Sequence, residues 1–322
     1  MQYVGTVTPF KGLRVYTRPP MGLPGSGEYL QELLSRVLVT EMQEGFVMVN
    51  ADDMYVGGND ISELLSNWSK VLEKMHLNNL KLNGVKTVIC PVETDILGWI
   101  WRNGTLSISS HKISALLSAE PPKTCSAMRS YLGAYKALSR CIPQYASLLS
   151  PLEESLKGLQ GNQMIPWTDE LHSFFSKAQE ALRSPRVITV PTRSDRLVIT
   201  TDGSPVNKGL GATLFADRNG KRLVAGFFSM KMKSHQEGWY PCEFEALAIS
   251  AAIEHFAPYI RESRHAVQIL TDNKPCVQAF DKLRKGEFSA SARVSTFLSQ
   301  LSSYNVYVHH TKGELNASSD FK

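Results

Sequence analysis

Residues 197–214 read LVITTDGSPVNKGLGATL, and the fold of the C-terminal third turns on how this stretch is parsed. β-Branched and apolar residues run up to Asp202-Gly203-Ser204, and a Gly-rich turn leads into a second strand-like run over 211–215. This places an Asp at the expected junction of a buried strand and a turn, held by the sheet yet reaching solvent. Asp-Gly is also common hairpin punctuation, so the pair gains meaning only from its company downstream. Glu245 falls in a helical pattern, Asp272 follows the strand-like run 267–270, and Asp320 ends HHTKGELNASSD. Four carboxylates from four separate elements can converge at one place. Anions so clustered tolerate one another only around bound cations.

Around this stretch the texture is β. VITVP precedes it, and a turn at 217–220 followed by LVAGFFSMKM completes an antiparallel meander. A helix is predicted over 241–256, with Pro241 in its first turn and Phe244, Leu247, Ala248, Ala251 and Ala252 on its buried face. Glu243 then falls on the solvated side. A strand over 267–270, helices over 275–283 and about 292–302, and a last strand over 306–309 follow. Strands, helix, strand, helices, strand describe a mixed sheet with helices packed on it.

Upstream, residues 110–185 read as helical. A helix capped by Thr124 or Ser126 and running to about Cys141 carries Arg129, Gly133, Lys136 and Arg140 in one narrow sector. Such a basic stripe suits a phosphate backbone, and it equally suits a solvated charged face. A further helix, capped by Thr168 or Asp169, stops at Pro185. Residues 1–108 alternate strands and helices. GLRVYTR reads as a short strand and 28–43 as an amphipathic helix with Leu30, Leu33, Leu34, Val37 and Leu38 on one side. GFVMVNADDMYVGGN reads as a hairpin with Asp52 and Asp53 at its tip. Asp60 caps a helix over 61–75, with Glu63 three residues on, and DILGWIWRNGTLSIS reads as a hairpin turning at Asn103-Gly104.

Composition bounds these readings loosely. The 322 residues allow two or three domains, and 43% hydrophobic with 20% charged residues is ordinary for a globular chain. A net charge of +5 permits a nucleic-acid partner without demanding one. The five cysteines are scattered, with no metal-ligand spacing, which points to reduced thiols and a cytoplasmic, intracellular setting. No apolar run is long enough to span a bilayer, so no membrane partner is expected.

TDGS, CEFEALAISAAI, LTDNKPCVQAF and the HxxxGxxNxxxD pattern, in this order, resemble the ribonuclease H domain of gypsy-type LTR-retrotransposon Pol polyproteins. RSYLGAYKALSRCIPQY looks like that family's thumb segment. MGLPGS, the Asp52-Asp53 hairpin and ILGW together resemble the palm of a reverse transcriptase. The resemblance implies an α+β chain: a partial palm over 1–108, a helical thumb or connection over 109–186, and a ribonuclease H-like domain over 187–322 with a mixed five-stranded sheet. It implies two-metal hydrolysis of the RNA strand of RNA–DNA hybrids, with two Mg²⁺ ions (or Mn²⁺) about 4 Å apart. By that resemblance Asp202 bridges both ions, Glu245 and Asp272 complete the site beside the leaving oxygen, and Asp320 holds the ion that orients the water. His310 occupies a loop position suited to a proton shuttle.

In the palm that the resemblance implies, Asp52 and Asp53 would take the metal-holding positions, and Met21 and Gly22 would lie beside nucleotide and template. By the same resemblance Lys86 would fall on the strand after the palm helix, Gly98 and Trp99 would hold the primer end, and Arg129, Lys136 and Arg140 would meet template-primer phosphates. Two departures stand out. Asn50 replaces the family's aromatic residue before the Asp pair, and no Asp occurs in residues 1–51. Fingers and first catalytic strand are therefore expected to be missing, the last helix truncated, and polymerisation by this chain alone absent. The partners implied are the hybrid, a template-primer duplex and the rest of a Pol polyprotein. A catalytically silent nucleic-acid binder, or a domesticated or decayed retroelement product, is the rival reading.

Overall fold

The structure is a computed structural model describing residues 5–17, 22–204, 209–232, 236, 238–287 and 291–312. It divides into two compact units between Pro91 and Val92.

The first unit opens with the antiparallel pair β1 (Gly5–Thr8) and β2 (Gly12–Val15). Helices α1 (Ser26–Val37) and α2 (Val39–Gln43) follow, then the hairpin β3 (Val47–Asn50) and β4 (Asp53–Val56), and the helix α3 (Ile61–Leu77). The single helix expected over 28–43 is broken at Leu38, whose backbone leaves helical geometry. The break lets Leu34 and Leu38 enter one small core with Val47, Val49, Val71 and Met75. At the start of α3, Asp60 accepts the Glu63 N–H at 2.8 Å, as its sequence position implies. The Glu63 carboxylate reaches one residue further back than a capping box requires, accepting the Asn59 N–H at 3.0 Å.

The second unit begins with a meander of β5 (Glu93–Ile96), β6 (Trp99–Arg102) and β7 (Thr105–Ile108). Its two turns, Leu97-Gly98 and Asn103-Gly104, have φ of 55°, 78°, 48° and 74°. Positive φ at both central residues gives the twist that suits a two-residue hairpin. Helices α4 (Ser110–Leu117), α5 (Cys125–Lys136), α6 (Tyr145–Glu154) and α7 (Asp169–Ala181) bury Met128, Tyr135, Leu149, Leu152 and Phe175 in a second core. Of the alternative caps, Thr124 takes α5 and Thr168 takes α7; each accepts the N–H three residues on at 3.2 Å. The short strand β8 (Ile188–Thr189) pairs with Thr105 and Leu106 on the open edge of β7. VITVP therefore extends the upstream meander rather than the sheet that follows.

That sheet is built from β9 (Arg196–Ser204), β10 (Gly209–Arg218), β11 (Lys221–Lys231), β12 (Val267–Thr271) and β13 (Val306–His310), in the order β11-β10-β9-β12-β13. The first three strands are antiparallel, and β12 lies parallel to both β9 and β13. It is the mixed five-stranded sheet expected. The parallel step requires a crossover, supplied by α8 (Pro241–Glu262). Helix α8 presses Ala246, Ile249, Ala252, Ile253 and Phe256 onto Leu197, Ile199, Leu214 and Ile269 of the sheet. It runs six residues past its expected end because Phe256 and Ile260 keep the same face buried through Pro258. Helices α9 (Lys274–Arg284) and α10 (Ala292–Ser299) add Cys276, Phe280, Val294 and Leu298 to this core. Among the described residues no helix is long and apolar enough to cross a membrane.

Candidate active site

The central strand carries the first candidate. Asp202 does not end β9, as expected from the Gly and Ser after it; the strand continues to Ser204 and pairs Asp202 with Gly211. The continuation depends on Gly203. A Cβ there would meet the Phe244 carbonyl at 3.2 Å and the Glu245 nitrogen at 3.3 Å, so any side chain would press on the backbone of α8 at this close approach. Parallel pairing of β12 with β9 aligns Leu270 with Thr200. Extended by two residues, that register brings Asp272 level with Asp202. Asp202 is half-buried, Asp272 exposed and Glu245 buried.

The Glu245 carboxylate is tied at both oxygens. Oε1 accepts the Gly203 N–H at 3.0 Å, and Oε2 accepts the Thr271 hydroxyl at 3.1 Å. These bonds favour the anion, yet the balance goes the other way. Burial first, then the charges of Asp272 and Asp202, push Glu245 from 4.5 up to about 8. Three carboxylates from β9, α8 and the end of β12 thus share one electrostatic environment.

Two other buried carboxylates of the second unit show what a structural role looks like. Burial works against ionisation of Asp195. The Arg218 guanidinium, which grips both its oxygens at 2.9 and 2.6 Å, and the Thr192 N–H outweigh that and hold it below its ordinary range. Glu243 was expected to be solvated. It is instead buried, accepting the Tyr240 N–H at 3.0 Å and the Ser291 hydroxyl at 3.1 Å, with Arg293 at 3.3 Å. Burial opposes its charge too, and these partners again win. Two positions on a helix separate Glu243 from Glu245 by about 200°. Among the described residues no Lys or Arg reaches Glu245 to form an ion pair.

His310 was expected in a loop. It is the last residue of β13, exposed and aligned with Thr271, because the Thr311 N–H still bonds the Thr271 carbonyl at 2.9 Å. Strand alternation puts His309 on the opposite face, where its ring lies 6.4 Å from that of Tyr307. Asp320 and Met21 lie outside the described residues. Asp202, Glu245 and Asp272 are thus brought together, with His310 on the strand beside them. Among the described residues no three His, Cys, Asp or Glu side chains form a ready metal-binding group. The donor chemistry nonetheless fits a hard dication: carboxylate oxygens only, one of them pushed toward its protonated form by burial first and by its two acidic neighbours second.

The other positions are scattered. Asp52 sits in the two-residue turn between β3 and β4, Asp53 starts β4, and both are exposed. Gly22 is exposed. Lys86 is not on a strand; it closes an exposed turn, its N–H bonding the Asn83 carbonyl at 3.1 Å. Gly98 and Trp99 form the β5–β6 turn and the start of β6, with Lys112 bonding the Leu97 carbonyl at 2.7 Å and lying over the Trp99 ring.

The basic stripe does not survive as one face. Helix α5 ends at Lys136, and Arg140 lies in a separate 3-10 turn, Ser139–Cys141. Arg140 donates to the Tyr259 hydroxyl and stacks 5.3 Å from the ring centroid, joining the helical segment to α8. Lys136 pairs with Glu153 at 2.5 Å, while exposed Arg129 donates to the Leu159 carbonyl at 3.3 Å. Neither Thr271 nor the Gly203 N–H is legible from sequence as a partner of Glu245. The only hint was that both TDGS and LTDN place Thr before Asp.

A mixed five-stranded sheet with carboxylates converging from its central strands and from its crossover helix defines an RNase H-like domain. Residues 192–304 match the family model described as the RNase H-like domain found in reverse transcriptase. The chain is 24% identical to the retrovirus-related Pol polyprotein from transposon opus of Drosophila melanogaster, over 95% of this chain and 30% of that protein. It is 25% identical to the one from transposon 412 of the same organism, over 95% of this chain and 24% of the relative. It thus spans under a third of the length of these relatives. In fold it resembles the foamy viral protease-reverse transcriptase, with a TM-score of 0.74 and 19% identity over 94% of this chain and 51% of the version bound to double-stranded DNA. The form in complex with an RNA/DNA hybrid gives 0.71 at 19%, over 97% of this chain and 41% of that one. Residues 192–304 thus match the reverse-transcriptase-associated RNase H-like domain, and the chain as a whole is similar to a region of retroelement Pol polyproteins.

Proposed function

We propose that this chain hydrolyses the RNA strand of RNA–DNA hybrids in a Mg²⁺-dependent reaction. The observation that carries the reading is the contrast among buried carboxylates: Asp195 and Glu243 each have an arginine, while Glu245 faces Asp202 and Asp272. An arrangement that raises the free energy of the folded apo chain makes sense as a site for cations. Bound Mg²⁺ would supply charge neutralisation at the scissile phosphate and a more acidic water.

The chain's own residues divide the remaining work. Asp202 and Asp272 offer solvent-facing carboxylate oxygens from a rigid sheet, and Glu245 offers a third from beneath them once its proton leaves. Asp320 is proposed to complete the set. His310, at the end of β13, would move a proton at the cleaved phosphate. Selection for the hybrid would rest on its shape and on the 2′-hydroxyls rather than on base sequence. The solved neighbours in complex with double-stranded DNA and with an RNA/DNA hybrid support such partners. Residues 1–108 and 109–186 are proposed as part of a reverse-transcriptase palm and its thumb or connection, with Asp52 and Asp53 at the palm's metal position. Five free cysteines suit a reducing cytoplasmic setting.

The test is a purified-chain assay on labelled hybrid, single-stranded RNA and duplex DNA, with Mg²⁺, Mn²⁺ and chelator. Cleavage confined to the RNA of the hybrid, stopped by chelator and by Asp272→Asn in a folded variant, supports the proposal. A folded wild-type chain that binds hybrid but cuts it with neither metal is a binding module, and the proposal fails.

A further inference from the structure

We infer that Thr271 is a positioning residue: its single hydroxyl fixes the Glu245 carboxylate and the Asp272 turn together, so that two cation ligands from different elements keep one geometry. The inference rests on the metal-dependent reading above and concerns how that site is held. Thr271 is fully buried at the end of β12, and its backbone is anchored to β13 by the Thr311 N–H. Its hydroxyl receives the Asn273 N–H at 3.2 Å from one side. With that lone pair engaged, the hydroxyl proton points to the neighbouring acceptor, Glu245 Oε2, at 3.1 Å.

The chain of contacts continues outward. Asn273 caps α9, its side-chain oxygen accepting the Cys276 N–H at 3.0 Å. Residues 271–273, with Asp272 between the two bonded positions, are therefore stitched at both ends. The Gly203 N–H holds the other Glu245 oxygen from the strand that carries Asp202. One backbone N–H and one hydroxyl thus connect all three carboxylate-bearing elements. A serine would preserve this link; valine has nearly the same shape and lacks the hydroxyl.

The measurement is the Mg²⁺ concentration that gives half of the maximal rise in melting temperature, taken alongside the Mg²⁺ dependence of hybrid cleavage. Loss of a group that orients a ligand typically weakens metal affinity about 10–100-fold. Thr271→Val is expected to raise the Mg²⁺ midpoint at least about tenfold. In cleavage the loss is expected to be recovered in part at high Mg²⁺. Thr271→Ser should stay within about threefold of wild type by the same reasoning. Thr271→Ala serves in place of valine if the valine variant does not fold, with the same expected shift. A folded Thr271→Val or Thr271→Ala chain with a wild-type Mg²⁺ midpoint overturns the inference, as does a Ser variant as impaired as Val. If the wild-type melting temperature does not respond to Mg²⁺ at all, the metal-dependent reading fails along with it.

Discussion

The chain carries two pairs of candidate acidic positions on β-structure, and their surroundings differ sharply. Asp52 and Asp53 sit at the tip of an isolated two-stranded ladder, exposed to solvent that screens their charges. Asp202 sits on the central strand of a five-stranded sheet and Asp272 directly follows the strand beside it, next to a buried glutamate that feels them both. Sequence makes the two pairs look alike. The physical difference is the buried third carboxylate: the packed crossover helix presents one, and its burial first, with the charges of Asp272 and Asp202 added, disfavours its ionised form.

The largest expected effect breaks the comparison outright. Asp202→Asn should reduce hybrid cleavage about 10³-fold or more, since several kcal/mol of charge stabilisation depends on such ligands. The double change Asp52→Asn and Asp53→Asn should leave cleavage unchanged. Rate constants under single-turnover conditions check both.

The next prediction concerns stability without metal. Glu245 moves from 4.5 up to about 8 on folding, so between those values the folded chain keeps a proton that the unfolded chain has released. Stability contributed by this group is therefore fully present below about pH 4.5 and falls as pH rises to about 8. Glu245→Gln removes the loss. It should be near neutral at pH 4 and stabilising by a few kcal/mol at pH 8.5. Denaturant melts at the two pH values in chelator decide it; a Gln variant with the same deficit at both pH values contradicts a Glu245 charge disfavoured by burial and by its acidic neighbours.

Much of this contrast was legible in the sequence, and some was not. The four ordered motifs placed Asp202, Glu245 and Asp272, and their strand and helix periods were strong enough to yield the mixed sheet. Glu243 was misjudged because a helical wheel shows which side a residue faces but not what covers it. Arg293 and Ser291, some fifty positions away, turn that side into an interior. Arg140 was misplaced for a related reason. Its spacing suits a helix, but the chain leaves α5 after Lys136, and the arginine finds Tyr259, 119 positions away, instead of a phosphate. Thr271 and Gly203 were invisible as partners because their roles arise from a hydroxyl and a backbone N–H meeting across elements.

The smaller predictions sharpen the division between structural and nucleic-acid-facing charge. Tyr259→Phe removes the acceptor for Arg140 and should lower stability by about 1 kcal/mol, with hybrid affinity unchanged. Replacing Arg129 and Lys136 with Gln should instead flatten the salt dependence of hybrid binding by up to about two log–log units. Arg140→Gln should leave that slope unaltered. Equilibrium binding across a salt series, paired with denaturant melts, separates the two behaviours.

The most direct test of where the chain collects metal is a Mn²⁺ titration followed by paramagnetic broadening of backbone amide signals in a deuterated sample. The Gly203, Glu245 and Asp272 signals should disappear first, and excess Mg²⁺ should restore them, while Ala51–Asp53 signals persist to much higher Mn²⁺. Broadening that begins at residues 51–53, or spreads evenly over the acidic surface, would contradict a metal site built by β9, α8 and β12.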